Sequence, residues 1–230
     1  MEEKSLSIAF CESLEENLTG IVSEYAEIGL DAFLADGALK EIPIISTAVA
    51  LYKIGSSLID RHNFRKLCLF LDEINKGITD NEKREKYKEK FKSNDKFRNS
   101  EIEYLLVLIN RYISYDKPQM LAKLYMAYLD GIIIWEEFAM YSEVVDRFLL
   151  LDKETLITTA TEIIVHKNMG GESVLRLVAL GLMTEITDKS TFLKHSTGYA
   201  LDIGKLENSV SNDRKYKRTE FGEKLAQILI

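Results

Sequence analysis

Residues 42–74 form the most apolar run of the chain and constrain its fold more than any other feature. On a helix turning about 100° per residue, Ser46, Lys53, Ser57 and Asp60 fall on one line. Ile44, Ile45, Ala48, Leu51, Tyr52, Ile54, Leu58 and Ile59 cover the remaining surface. A surface helix carries an apolar stripe on a polar cylinder. This segment is the inverse, and a helix of that kind is covered on most sides. Ala48 and Gly55 share one side, where a neighbouring helix can approach closely. Pro43 suits a first turn, where its missing N–H costs nothing. The pattern predicts a central core helix over 42–59. A second helix is expected from about Asn63, with Phe64, Leu67, Cys68, Leu71 and Ile74 inward and Arg65, Lys66, Asp72 and Glu73 outward.

Membrane insertion of 42–59 is the competing reading. A spanning helix needs about 20 apolar residues. Lys53 sits near the middle of this run, where a charge in a bilayer is costly. The core helix is favoured.

A chain of 230 residues holds one or two domains. Its 46% hydrophobic content, with only 2 Pro and 12 Gly, suits a helix-rich protein with a sizeable core. The net charge of −7 makes the whole chain no obvious nucleic-acid binder. The charge is uneven: residues 1–36 hold nine acids against Lys4 alone, and residues 76–98 hold nine Lys or Arg against five acids. These segments can attract each other, or both can be solvated helix faces. The two cysteines, Cys11 and Cys68, occupy apolar helical positions and imply a reducing, cytoplasmic setting. The acidic start lacks a signal peptide's basic region, and no lipidation motif or internal repeat is present.

Several helices follow in order. Residues 4–36 read as one long helix or two, stopping at Gly37. Residues 80–98 have few apolar positions, among them Tyr87, Phe91 and Phe97, and read as an exposed helix or arm. This segment alone invites an anionic partner. Ser100-Glu101-Ile102-Glu103 matches a capping box, with Ile102, Leu105, Leu106, Ile109, Tyr112 and Ile113 inward after it. Asp116 is expected to cap another helix, with Pro118 in its first turn and Leu121, Leu124, Tyr125 and Tyr128 on its apolar face. Asp130-Gly131 to Glu137 resembles half of a calcium loop, but Met126 and Tyr128 would stand at positions 1 and 3 and supply no carboxylate oxygen. Calcium is rejected, and Gly131 is read as a helix stop before a helix led by Trp135 and Phe138.

The last third differs. Asp152 is expected to cap a helix with Leu156, Ile157, Ala160, Ile163 and Ile164 inward. A tight turn at Asn168–Gly171 and a short helix, Glu172 to Leu182, come next. Strand-compatible pieces follow near Glu185–Thr187, Tyr199–Ile203 and Lys215–Arg218, before a final helix from about Thr219. The residues Leu175-Arg176-Leu177-Val178-Ala179-Leu180-Gly181-Leu182 and Lys217-Arg218-Thr219-Glu220-Phe221-Gly222 resemble bacterial winged-helix modules. In those, a leucine-rich helix ends in Gly-Leu and a wing enters a helix through Leu-Thr-x-x-Gly; here Arg218 stands in the place of that Leu. The whole chain also resembles helical bacterial proteins of the abortive-infection and prophage type. The resemblance implies a winged-helix-like α+β domain over 152–230 behind a helical bundle domain over 1–151, mainly α in class.

Fold does not carry function. A DNA-reading helix presents polar side chains to base edges. On Glu172–Leu182 only Glu172, Ser173 and Arg176 are polar, and Glu172 has the wrong sign for phosphate. Val174, Leu175, Leu177, Val178 and Leu180 read as packed. Residues 152–230 contain eleven basic and eleven acidic residues. Candidate anion or nucleic-acid contacts are Arg176, Arg214, Lys215, Lys217 and Arg218. The expectation is a non-catalytic interaction, adaptor or regulatory protein that binds a protein or itself, in a bacterial defence or stress setting. A DNA-binding regulator is the alternative, and a membrane-active effector exposing 42–59 comes third. His62, His166 and His195 have no partner at i+3 or i+4, and no phosphate loop or nucleophile elbow occurs. The sequence therefore points to no metal, cofactor or catalytic group.

Overall fold

The computed structural model describes residues 6–13, 43–44, 46–47, 58–93, 95–159, 162–165, 171–186 and 214–230. The chain forms two compact units, Met1–Asp146 and Arg147–Ile230. The described residues are mainly helical and include a small three-stranded antiparallel sheet. Most of the proposed central helix, 42–59, lies outside the described residues. Of its apolar positions before Leu58, Ile44 alone is described, and it is buried.

In the first unit, α1 spans Leu6–Ser13, α2 Leu58–Gly77, α3 Asn81–Ser93, α4 Asp95–Arg111, α5 Asp116–Leu129 and α6 Trp135–Arg147, whose last residue begins the second unit. Among the described residues, the α2–α5 pair is the most extensive helix contact. Gly77 lets it close at one end, because a Cβ there would meet the end of the Met126 side chain. Leu67, Cys68, Leu71 and Ile74 of α2 are buried as their spacing predicts. The short α1 packs on α3 and α4. Its Phe10 ring lies 5.3 Å from Phe91, 6.2 Å from Tyr125 and 6.4 Å from Phe70. Burying each such ring contributes about 1.5–3 kcal/mol. Ser13 anchors α1 by donating to Ala9 O at 2.8 Å and accepting from Ile44 N at 2.9 Å.

The structure corrects several sequence readings here. Lys66 and Asp72, expected outward, are buried at 0% and 1% exposure. Of the two readings of residues 80–98, the exposed helix holds over 81–93: α3 is mostly exposed or half-buried, with Tyr87 and Phe91 as its buried apolar positions. The Ser100–Glu103 capping box starts nothing: α4 is already helical from Asp95, so Ser100 lies in its interior. Ile113, expected inward, is exposed beyond the end of α4. Gly131 does stop α5. Its φ of 77° allows Gly131 N to donate to Tyr128 O at 3.0 Å and Ile132 N to Ala127 O at 2.9 Å, which satisfies the helix's last carbonyls.

In the second unit, α7 spans Leu150–Thr158, β1 Ile163–Val165, α8 Glu172–Ala179, β2 Met183–Glu185, β3 Arg214–Arg218 and α9 Glu220–Leu229. The strand order is β1-β3-β2, with Ile164 opposite Lys215 and Thr184 opposite Lys217. Ile163 and Ile164, read as an inward helical pair, stand on a strand instead, and Ile164 is exposed. Asp152 is not a cap: it lies buried in the first turn of α7, after Leu149. Leu175, read as packed, is 55% exposed. The Asn168–Gly170 part of the tight turn and the piece at Tyr199–Ile203 fall outside the described residues.

The Thr219-x-x-Gly222 pattern has a physical basis. Thr219 Oγ1 accepts from Gly222 N at 2.9 Å and donates to Gly181 O at 2.7 Å. Its own N–H donates to Leu182 O at 3.0 Å. A Cβ at Gly222 would overlap the Leu182 backbone carbonyl. This threonine cap and glycine contact fix α9 against the end of α8. Gly181, at φ 73°, closes α8 as Gly131 closes α5.

Candidate functional site

The candidate contacts of the second unit lie on α8 and β3. Alternation along β3 puts Tyr216 inward, where it is buried, and Lys215 and Lys217 on the opposite face. Arg176 projects from α8 toward α7. Its Nε donates to Asp152 Oδ2 at 2.9 Å and its Nη2 to Asp152 Oδ1 at 2.7 Å, a two-pronged fork. Ser173 Oγ donates to the same carboxylate at 2.6 Å. Burial alone would raise the Asp152 pKa. The Arg176 and Ser173 hydrogen bonds outweigh it and hold the carboxyl below its ordinary value.

The remaining candidates are mostly paired as well. Arg214 Nη1 lies 3.6 Å from Glu185 Oε2, and Lys215 Nζ lies 3.2 Å from Glu162 Oε1. Arg218 Nε lies 2.7 Å from Glu223 Oε2, while its Nη1 donates to Leu156 O at 3.2 Å. Lys217 is exposed and makes no ion pair among the described residues. The structure therefore brings Arg214, Lys215, Lys217 and Arg218 onto one strand and sets Arg176 against an internal acid. The outward face of α8 consists of Glu172, Leu175 and Ala179, while Val174 and Leu177 are buried. It offers an apolar side chain flanked by an acid.

The basic α3 is treated the same way. Lys83 Nζ lies 3.1 Å and Lys86 Nζ 3.9 Å from the Asp130 carboxylate, which also accepts from Tyr87 OH at 2.9 Å. Lys90 Nζ donates to Leu129 O at the end of α5. Asp130, which would be a ligand in the rejected calcium loop, thus ties α3 to α5.

Sequence reasoning missed the polar groups that work inside the first unit. Lys66 Nζ donates to Asn110 O at 2.9 Å and to Tyr112 O at 2.6 Å, closing the end of α4 from another helix. Burial pulls its pKa down to about 8. Glu101, 1% exposed, pairs with Arg98 at 2.5 Å and accepts from Tyr128 OH at 2.5 Å. The available signal was position: Lys66 lies one turn before the buried Phe70, on the edge of the apolar stripe.

Among the described residues, no group of His, Cys, Asp and Glu converges as a metal site would require. His62 Nδ1 is 2.9 Å from Tyr115 OH; His166 and His195 lie outside the described residues. Cys11 and Cys68 are buried and form no disulfide. Burial, and then the Asp72 charge, push the Cys68 thiol pKa up, which suppresses the nucleophilic thiolate. No described helix is long and apolar enough to cross a membrane. No family model, curated protein or solved structure matches the chain.

Proposed function

We propose that the chain is a non-catalytic interaction module whose second unit is a winged-helix-like domain that contacts protein, a partner or another copy, and does not read DNA. The outward face of α8 carries this reading. A helix placed in a major groove needs donors and acceptors on its exposed side, and α8 turns Leu175 and Ala179 outward with Glu172. The pairing of Arg176, Arg214, Lys215 and Arg218 with acids adds support, since DNA binding draws on free positive charge. The order α7-β1-α8-β2-β3-α9, with β3 between the other strands, supports the winged-helix part. The resemblance to abortive-infection and prophage-type proteins suggests a bacterial defence or stress setting.

The test uses the full chain and its Leu175→Glu variant, a substitution at an exposed site. Light scattering and affinity capture from the native host are compared after circular dichroism confirms equal folding. The reading expects the wild type to self-associate or retain a partner, and the variant to lose it. A strictly monomeric wild type that captures nothing, or equal capture by both proteins, contradicts it.

A further inference from the structure

Side chains of α4 and α6 meet at two levels in the first unit. At one level the Tyr104 ring lies 5.6 Å from Trp135 and 6.4 Å from Phe138. At the other, Arg111 Nη2 lies 3.1 Å from Glu143 and 3.0 Å from Asp146. Val107 follows Tyr104 by three residues and precedes Arg111 by four, so it stands on α4 between the bridges. Met140 precedes Glu143 by three residues and stands at the matching place on α6. Both are outward, at 59% and 57% exposure. The turn feeding α6 adds Ile132 and Ile134, exposed on either side of the buried Ile133. Single exposed apolar residues are ordinary. Four on adjacent segments, with a half-buried Tyr104 and Trp135 beside them, form a patch of the kind that marks an interaction surface.

The charge around this patch is one-sided. Glu103, on the exposed side of α4, and Glu136, in the first turn of α6, are exposed and make no ion pair among the described residues. Glu143 and Asp146 face Arg111, and Lys117 Nζ donates to Asp146 O at 2.5 Å, so two cations stand against the four acids Glu103, Glu136, Glu143 and Asp146. Asp130 and Glu137 belong to the fold instead: Asp130 holds Lys83 and Tyr87, and Glu137 Oε2 accepts from Ile134 N. The rim is therefore net acidic around apolar side chains.

We propose that the α4–α6 face is a docking surface for a basic amphipathic helix of a partner protein. The partner's apolar stripe covers Val107, Met140 and Ile134, and its Lys or Arg side chains meet Glu103, Glu136 and Glu143. Anchor side chains spaced at i, i+3/i+4 and i+7 suit a helix docking on an apolar patch of this kind. Complementary rim charges set orientation and speed encounter. An anionic membrane or nucleic acid is disfavoured by the sign of the rim. The proposal shares the interaction reading above but does not depend on the α8 face.

Trp135 is the sole tryptophan of the chain, so its fluorescence reports on this surface directly. The experiment titrates the full chain with a 14-residue amphipathic Leu/Lys peptide, used as probe (length chosen as about four helical turns). A scrambled peptide of equal composition and an amphipathic Leu/Glu peptide are run beside it. The expected result is a saturable Trp135 emission change with the Leu/Lys peptide, at least about tenfold weaker with either control. Val107→Asp with Met140→Asp should weaken binding by about tenfold or more, a ΔΔG of about 1.4 kcal/mol. Leu175→Glu should bind as wild type does, which separates this surface from α8. No saturable change, equal binding of the scrambled peptide, or unchanged affinity in the double variant overturns the proposal. An emission change that tracks protein concentration without peptide would instead place a second copy on the face, and also overturns it.

Discussion

Lys66 shows what a single buried charge does in this chain. Its ammonium closes the Asn110 and Tyr112 carbonyls at the end of α4 from the neighbouring α2, with no carboxylate paired to it among the described residues. Lys66→Met should leave both carbonyls without that donor and cost about 2 kcal/mol in urea unfolding at pH 7. The pH dependence follows from linkage. The native pKa, about 8, lies below the ordinary 10.5, so between those values the unfolded chain binds more protons. Stability from this group therefore rises as pH climbs from about 8 toward 10.5. The Met variant should lack that rise. The tyrosines oppose it at higher pH: burial raises the pKa values of Tyr87, Tyr112 and Tyr125, so their contribution is lost above about pH 10 as the unfolded phenols ionise. Gly222 is the second sensitive residue. Gly222→Ala must displace the Leu182 carbonyl, and thermal or urea unfolding of the second unit should show a loss of about 2 kcal/mol.

At the scale of elements, the Asp152–Arg176–Ser173 cluster joins α7 to α8. Its carboxyl is held below the ordinary range, so its contribution is present above about pH 4 and is lost as pH falls through the lower native value. Asp152→Asn should flatten the acid limb of the second unit's stability curve, measured by circular dichroism from pH 5 to 2. An unchanged limb would contradict the fork's role. What could be read from sequence was local. The stop at Gly131 and the α9 start at Thr219 depend on chemistry within a few residues and stand where expected, while the short helix read as Glu172 to Leu182 ends at Ala179, before Gly181. The buried positions Leu67, Cys68, Leu71 and Ile74 of α2, Ile102, Leu105, Leu106 and Ile109 of α4, and Leu121, Leu124 and Tyr125 of α5 follow from helical spacing. What could not be read depends on partners distant in the chain. Ile163–Val165 continues a helical spacing and becomes a strand only because β3 pairs with it. Lys66 reads as a solvated edge residue until the end of α4 is placed beside it. Arg176 reads as a free cation until Asp152, 24 residues earlier, closes on it.

For the whole molecule, the recurrent theme is charge turned inward. Lys83, Lys90, Arg98, Arg176 and Arg218 all hold acids or helix-end carbonyls of their own unit. Thiol chemistry follows the same rule. Neither Cys11 nor Cys68 should react with Ellman's reagent in the native protein, and both should react in denaturant. A native thiol that reacts quickly would contradict the packed first unit. The central claim is that Arg176, Arg214, Lys215 and Arg218 are paired with acids of their own unit and that α8 turns an apolar face outward. Electrophoretic mobility shift with a labelled DNA duplex at low salt tests it most directly. The account predicts no shift at protein concentrations up to tens of micromolar, within the usual non-specific range. A salt-sensitive shift that disappears when Lys215, Lys217 and Arg218 are reversed to Glu would contradict it.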